Sequence, residues 1–215
     1  VNDGALFKLV IQDANDGTGV EIDTMIFSAG QDSTMYVAGY DTENNFISLY
    51  DSDWSQTGSD LGDFSQTNPA NNNTFTAETV GTTVIRADQD GGSLFDITSS
   101  VTINPGNPAT LVKYADVDSQ SAAAGSTLPK DMRVRVLDAH SNPVPGITVN
   151  FSPVGGGTTT PPTDVSDEFG FAYSQWTLHT SDDPDSIQVY VENVDTVQYY
   201  AIVGAGVADS LILTS

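Results

Sequence analysis

The sequence predicts an all-β protein made of two antiparallel β-sandwiches in tandem. Its 215 residues are too many for one small sandwich and suit two domains of roughly 100 residues each. Thr, Val, Ile, Tyr and Phe recur in short alternating runs separated by Gly, Pro, Asn and Asp, which is typical of strands joined by turns. No apolar run is long enough to cross a bilayer, and no useful stretch has the period of a helix.

A repeat in the sequence supports the division into domains. Similar strand-like segments occur at residues 5–11, 108–114 and 208–213, and the second and third each follow a Gly-containing stretch. The segment 104–108 contains Pro and Gly and predicts a short hinge. The predicted domains are therefore residues 1–105 and 106–207. Residues 208–215 are either the first strand of a following repeat or a terminal strand of the second domain.

The first domain has alternating strand patterns followed by turn residues. They occur at residues 33–40, 46–50, 74–77, 82–87 and 100–103. Trp54 follows the second of these and is expected to fill the space between two sheets about 10 Å apart. The alternative is an exposed tryptophan that stacks on a sugar.

The second domain has the clearer pattern. In residues 132–137, Val134 and Val136 point one way while Arg133 and Arg135 point the other, as in a strand with one wet face. Further strands are predicted at residues 147–151, 163–165, 171–178, 187–191 and 197–203. About seven strands at this spacing are typical of a sandwich.

The sequence of residues 138–151 is DAHSNPVPGITVNF. It resembles the D-x-x-G-N-P-V-P-G-x-x-V-x-F signature of bacterial immunoglobulin-like domains of the invasin/intimin type (group 1), with Ser141 where that family usually has Gly. Residues 163–172 and 176–178 resemble the second signature of the family, and the first domain more loosely resembles other bacterial immunoglobulin-like repeats. The resemblance implies an immunoglobulin-like sandwich that serves as a spacer or adhesive stalk in secreted and surface proteins. It implies no catalytic residue.

The charge of the chain limits its partners. Twenty-nine acidic and six basic residues give a formal net charge of −23, and both halves are acidic. Such a field repels nucleic acid and anionic membrane surfaces. Two explanations remain open: solubility in a salty or calcium-rich medium, or binding of Ca²⁺ by some of the acids.

Three acidic clusters are candidate Ca²⁺ sites. Asp13, Asn15 and Asp16 begin like a calcium loop, with oxygen ligands at alternating positions before Gly17, but no bidentate Glu closes it at the usual distance. A second cluster comprises Asp164, Asp167 and Glu168, and a third comprises Asp182, Asp183 and Asp185. Asp and Asn also build ordinary turns without a metal, which is the alternative at each place.

Catalytic signals are lacking in the sequence. There is no cysteine, and the two histidines, His140 and His179, are separated by two predicted strands and a long loop. No G-x-S-x-G or H-E-x-x-H motif occurs. The chain is therefore predicted not to be an enzyme, and its histidines are expected to face solvent in turns.

The predicted function is a structural or adhesive repeat of a secreted or cell-surface bacterial protein: a stalk, a spacer or a filament subunit. Because the chain starts without an initiator Met or a signal peptide, we expect an internal fragment of a longer protein. Expected partners are neighbouring immunoglobulin-like domains, a host or cell-surface protein or glycan, and further copies in a filament. The alternative is an accessory carbohydrate-binding module of a secreted polysaccharide-degrading enzyme, with tyrosines that stack on sugars. A third option is donor-strand assembly through residues 211–214.

Overall fold

The computed structural model of the protein describes residues 4–181 and 183–204. A first compact unit ends at Gly106 and a second begins at Asn107. Each unit has two sheets that enclose a core of its own. The predicted fold class, two immunoglobulin-like β-sandwiches, is confirmed. Asp182 and residues 205–215, which include the predicted strand 208–215 and the proposed donor segment 211–214, lie outside the described residues.

The first unit contains ten strands. They are β1 (Lys8–Gln12), β2 (Thr24–Ser28), β3 (Asp32–Tyr40), β4 (Phe46–Leu49), β5 (Ser52–Gly58), β6 (Gly62–Phe64), β7 (Asn72–Ala77), β8 (Gly81–Gln89), β9 (Phe95–Ile97) and β10 (Ser100–Asn104). One sheet has the order β1-β3-β7-β6, with β4 also paired to β3. The other has the order β2-β10-β8-β5, with β9 also paired to β8.

Alternating apolar side chains close the core of the first unit. Met35 and Val37 of β3 and Phe75 of β7 point inward from one sheet, and Ile85 of β8 meets them from the other. Trp54 on β5 is only 3% exposed, and its indole N–H donates to the Ala70 carbonyl (2.8 Å). The prediction that Trp54 fills the core is therefore confirmed.

The second unit contains nine strands and one short 3₁₀ helix, Ala115–Val117. The strands are β11 (Pro108–Lys113), β12 (Gln120–Ala123), β13 (Met132–Asp138), β14 (Thr148–Val154), β15 (Thr158–Thr160), β16 (Thr163–Val165), β17 (Phe171–Thr177), β18 (Asp185–Val191) and β19 (Asp195–Gly204). The four-stranded sheet has the order β11-β13-β17-β15, and the five-stranded sheet has the order β12-β19-β18-β14-β16. Within the described residues, no helix has the length and apolar character of a membrane span.

The core of the second unit centres on Trp176, which is fully buried. Its neighbours in the core include Val134, Val149, Phe151 and Ile187, drawn from both sheets. Unlike that of Trp54, the indole N–H of Trp176 has no hydrogen-bond partner among the described residues. Contacts with apolar side chains, rather than a hydrogen bond, therefore hold the indole ring of Trp176 in the core.

In both units, the first strand is divided between the two sheets. The prediction of antiparallel sheets did not include this division. The first half pairs antiparallel with the next long strand: β1 with β3, and β11 with β13. The second half crosses to the other sheet and pairs parallel with the last strand of the unit: β2 with β10, and β12 with β19. The division adds one strand to the second unit, which has nine strands where about seven were predicted.

A carboxylate caps the same five-residue turn in both units. In the second unit, Asp138 accepts hydrogen bonds from the backbone N–H groups of His140 (2.9 Å) and Asn142 (2.8 Å), and from the Asn142 side chain (3.0 Å). In the first unit, Asp41 accepts the equivalent three bonds from Glu43 and Asn45. The hydrogen bonds from the side chain and backbone of Asn45 lower the pKa of Asp41 below its usual value. The D-x-x-x-N spacing is thus a structural repeat of the two units.

The turn requires a left-handed backbone at its fourth residue, where Ser141 has a φ of 67° and Asn44 a φ of 62°. This explains why the resembled family usually has Gly where this chain has Ser141, since Gly adopts positive φ without steric cost.

We expect Ser141→Gly to raise the free energy of unfolding of the second unit by about 0.5–1 kcal/mol. Ala139→Gly is the control, because Ala139 has no positive φ. Denaturant unfolding should show that Ala139→Gly leaves the free energy of unfolding unchanged or lowers it. Equal effects of the two substitutions would contradict this explanation.

Tyr199 links the two sheets of the second unit through its hydroxyl. The ring lies in the core from β19, and the hydroxyl donates to the Arg133 carbonyl on β13 (2.6 Å) and accepts from the Tyr114 N–H (3.2 Å). Burial raises the pKa of Tyr199 to about 12. The neutral phenol is therefore the form that the fold favours.

The raised pKa of Tyr199 predicts an alkaline loss of stability. The stabilisation is complete below pH 10, the usual tyrosine pKa, and declines as the pH rises towards the folded-state value of about 12. The loss is at most about 2.7 kcal/mol for a shift of two pKa units. Tyr199→Phe should cost about 1–2 kcal/mol at neutral pH, because Arg133 O and Tyr114 N–H lose their partner. Urea unfolding from pH 8 to pH 12 should show a smaller alkaline decline in this variant; an identical decline would contradict the assignment.

Candidate functional sites: acidic loops, basic face and terminal strands

The loop between β1 and β2 carries the first predicted calcium cluster. Asp13 Oδ1 accepts the Val20 N–H (2.7 Å), and Asp16 Oδ1 accepts the hydroxyl (2.6 Å) and the N–H (3.0 Å) of Thr18. These bonds, the hydroxyl first, lower the pKa of Asp16. The third residue, Asn15, is exposed. The structure thus gives Asp13 and Asp16 separate hydrogen-bonding roles in the loop.

The same loop folds back over the outer face of its sheet. The Tyr40 hydroxyl donates to Gln12 Oε1 (2.8 Å) and to the Gly17 carbonyl (3.3 Å), and the Gln12 amide donates to the Ala14 carbonyl (2.7 Å). Gly17 has a φ of 77°, and a Cβ there would overlap the ring of Phe46. Gly17 therefore serves close packing and a left-handed backbone, which a calcium-loop glycine also requires.

The second cluster is divided in the same way. Asp164 Oδ2 accepts the Tyr173 N–H (2.8 Å), which ties β16 to β17 across the edge of the sandwich. Asp167 Oδ1 accepts the N–H groups of Phe169 and Phe171 (both 2.9 Å), and Glu168 is exposed. Within residues 4–181 and 183–204, no three His, Cys, Asp or Glu side chains form a group that could hold a metal ion. The calcium sites remain predictions.

The third cluster lies beside one of the two histidines. Asp185 is buried and accepts the His179 N–H (2.6 Å), while Asp183 accepts the Ser181 hydroxyl (3.3 Å). His179 Nδ1 lies 2.9 Å from Ser181 Oγ, and the side chain is half-buried rather than solvent-facing as predicted. His140 is exposed in its turn, as predicted. Asp182 of this cluster lies outside the described residues.

Two arginines of the second unit form a basic ladder with aromatic rings on the outer face of its four-stranded sheet. The Arg133 guanidinium lies 4.2 Å from the ring centre of Tyr114, and that of Arg135 lies 5.1 Å from the ring centre of Phe171. Phe171 and Tyr173 are neighbours, with ring centres 6.1 Å apart. The outward direction of both arginines was predicted from alternation, but the ring contacts depend on cross-strand register, which the sequence does not display.

The exposed tyrosines lie on different sheets. Tyr173 is on β17 of the four-stranded sheet and Tyr200 is on β19 of the five-stranded sheet, whereas Tyr199 is buried. Rings on opposite outer faces cannot stack on one sugar chain as a continuous row. Tyr173, Tyr199 and Tyr200 therefore do not form a common platform for a glycan.

The parallel pairs of terminal strands are the third candidate feature. In the second unit, four residue pairs join β12 to β19, from Gln120↔Ala201 to Ala123↔Gly204. Backbone bonds from Ser119 N–H to Tyr200 O (2.9 Å) and from Ala124 N–H to Gly204 O (3.1 Å) extend the pairing at both ends. The hydrogen bonding between β12 and β19 therefore extends beyond the four paired residues of each strand.

Asp118 reinforces the start of this pair. It accepts the Tyr200 N–H (2.9 Å) and forms a salt bridge with Lys113 (2.5 Å). Burial raises the pKa of Asp118, but the hydrogen bonds from Lys113 and the Tyr200 N–H together lower it below its usual value. In the first unit, five residue pairs join β2 to β10, and Asp23 accepts the Ser99 hydroxyl beside them. Both units thus secure their first strand against their last.

Several solved structures are similar to this chain. The Escherichia coli adhesin FdeC has a TM-score of 0.46 and 18% identity over 92% of this chain and 65% of that one. The Yersinia pseudotuberculosis adhesin InvE has a TM-score of 0.38 and 16% identity over 85% of this chain and 57% of that one. The D00-D0 domain of intimin has a TM-score of 0.42 and 12% identity over 90% of this chain and 99% of that one.

These structures include a domain of intimin, and the motif at residues 138–151 resembles the invasin/intimin type. The chain spans 57% of InvE and 65% of FdeC, which is less than two thirds of each. No family model matches the sequence, and no curated protein matches it.

Proposed function

We propose that the chain is a mechanical spacer, two immunoglobulin-like repeats that carry tension in a secreted or cell-surface bacterial protein. The observation that carries this proposal is the parallel pairing of the first and last strands in each unit. A pull on the ends of a unit draws these two strands in opposite directions along their length. Their hydrogen bonds are then loaded together rather than broken one after another.

Several further features suit a mechanical role. Lys113 and Asp118 hold the segment between β11 and β12, and Tyr199 fixes β19 to the opposite sheet. The D-x-x-x-N turn recurs in both units, as expected for modules that repeat one structural task. The extracellular or surface location in this proposal rests on the sequence resemblance at residues 138–151.

Paired proline substitutions in β12 test the proposal. The register and the bond from Ala124 N–H to Gly204 O place the N–H of Ala122 towards β19 and that of Ser121 away from it, because only alternate residues of a strand face a given neighbour. Ala122→Pro removes a bond of the parallel pair, whereas Ser121→Pro spares it. We expect Ala122→Pro to lower the force that unfolds the second unit, and Ser121→Pro to change that force much less.

Single-molecule force spectroscopy on the whole chain measures this difference. Unfolding of the first unit is the internal reference in each trace, because neither substitution touches it. Denaturant unfolding of both variants shows whether a loss of force merely follows a loss of equilibrium stability. Equal unfolding forces for Ala122→Pro and Ser121→Pro at comparable stability would contradict the mechanical role of the pair.

A further inference from the structure

The outer face of the five-stranded sheet in the second unit is uncharged. Strands β12, β14, β16, β18 and β19 present fifteen outward side chains, and none of these described positions is Asp, Glu, Lys or Arg. The charged residues of these strands, Asp164, Asp185 and Asp195, belong to the inward-facing register. We call the fifteen outward positions the neutral face.

Composition alone does not explain the neutral face. Charged residues make up 16% of the chain, so fifteen positions at that rate should include about two. The neighbouring sheet of the same unit carries Arg133 and Arg135 on its outer face, and the first unit carries Arg86 and Asp88 on an outer face. The chain as a whole has a net charge of −23. Charge is thus abundant elsewhere and missing from this one sheet face.

The neutral face exposes side chains that are typical of contact surfaces. Tyr200 is 52% exposed and Ile202 is 60% exposed on β19, and Val165 is 55% exposed on β16. Gln188 and Gln198 lie opposite each other near the middle of the face. Aromatic residues and a lack of charge at the centre distinguish interface cores from ordinary surface. At one edge, Lys113 lies 5.8 Å from the ring centre of Tyr200, but its charge is paired with Asp118.

We propose that the neutral face binds the neutral face of a second copy of this chain, as a symmetric pair. A two-fold contact brings a residue near its own symmetry mate, so a charge in the contact tends to meet the same charge. Two molecules of net charge −23 repel one another over most of their surfaces. The neutral face lets them approach without placing like charges in contact, which suits a second copy as the occupant.

The area of the neutral face limits how strongly two copies of the chain can bind. The five strands have 31 residues, each about 3.3 Å long, and lie about 4.8 Å apart, which gives roughly 490 Å² per copy. The total of about 1,000 Å² lies below the roughly 1,200–2,000 Å² of stable specific interfaces and within the range of weak ones. The pair is therefore weak and reversible. The proposed pairing of two copies does not rest on the mechanical role. Its test measures association of the chain, whereas the mechanical role is tested by the unfolding force.

Sedimentation equilibrium of the whole chain tests the pairing. We expect a monomer–dimer equilibrium between about 10 μM and 1 mM protein. Raising the salt from about 0.05 M to about 0.5 M should strengthen it, because salt screens the overall repulsion while the contact itself has no charges to screen. A chain that stays monomeric over this whole range would overturn the proposal.

Matched glutamine substitutions locate the contact. Gln198→Glu places like charges in the contact, whereas Gln175→Glu makes the same change on the outer face of the other sheet. We expect the first to lower the association constant at least tenfold and the second to change it little. Gln198→Lys should also weaken pairing, although it reduces the net negative charge, and Gln175→Lys should not. Melting curves confirm folding of each variant, and wild-type association of both Gln198 variants would overturn the proposal.

Discussion

Replacing Trp176 with alanine is expected to unfold the second unit at a much lower temperature while the first unit melts as before. Trp176 is fully buried between the two sheets of its unit, and its removal leaves a large cavity. Such a substitution costs about 3–5 kcal/mol, a large part of the 5–15 kcal/mol that stabilises a typical domain. For a unit of this size, the melting temperature should fall by roughly 15–30 °C.

Calorimetry and fluorescence report on this prediction separately. The chain has two tryptophans, so Trp176→Ala leaves Trp54 as the sole tryptophan reporter, in the core of the first unit. Its fluorescence transition should keep the wild-type midpoint, while calorimetry shows an early second transition. Trp176→Phe is the control and should cost about 1–2 kcal/mol, because no hydrogen bond of the indole is lost. One shared transition that shifts as a whole would contradict the independence of the two cores.

Replacing Asp138 with alanine is expected to destabilise the second unit by about 3 kcal/mol. Asp138 is 3% exposed, and its carboxylate accepts hydrogen bonds from His140 N–H, Asn142 N–H and the Asn142 side chain. Alanine leaves these donors without their acceptor in a turn that shields them from water. Asp138→Asn keeps one oxygen and should cost less.

Urea unfolding of the two Asp138 variants and of Asp41→Ala measures the role of the repeated turn. Asp41→Ala should destabilise the first unit and leave the second unchanged, because Asp41 accepts the equivalent three bonds there. An effect of Asp138→Ala below about 0.5 kcal/mol would show that the carboxylate does not hold the turn.

Alternation along the chain was enough to predict which side chains enter the cores. Val134 and Val136 are buried while Arg133 and Arg135 face outward, and Trp54 is buried between the sheets. These outcomes follow from the two-residue period of a strand, which any single segment displays. The same alternation does not predict which distant strands pair. The parallel contacts of β2 with β10 and of β12 with β19 join residues more than 70 positions apart, and no local pattern encodes such partners.

The acidic clusters show why the sequence leaves two explanations open at each candidate site. A calcium loop and a hydrogen-bonded turn both use Asp and Asn oxygens at short spacing, so residues such as Asp16 and Asp167 fit either explanation in sequence. In the structure, each accepts backbone N–H groups of its own turn. The basic ladder and the neutral face could not be predicted, because both depend on which strands share a sheet.

The direction dependence of unfolding tests the central claim most directly. Because the chain has no cysteine, introduced cysteines provide unique attachment points. Asn107→Cys with Gly204→Cys pulls the second unit along its terminal strands, whereas Ser186→Cys with Tyr200→Cys pulls apart two directly opposed residues of the β18–β19 hairpin. The mechanical role predicts a several-fold higher unfolding force along the terminal strands. Equal forces in the two directions would contradict it.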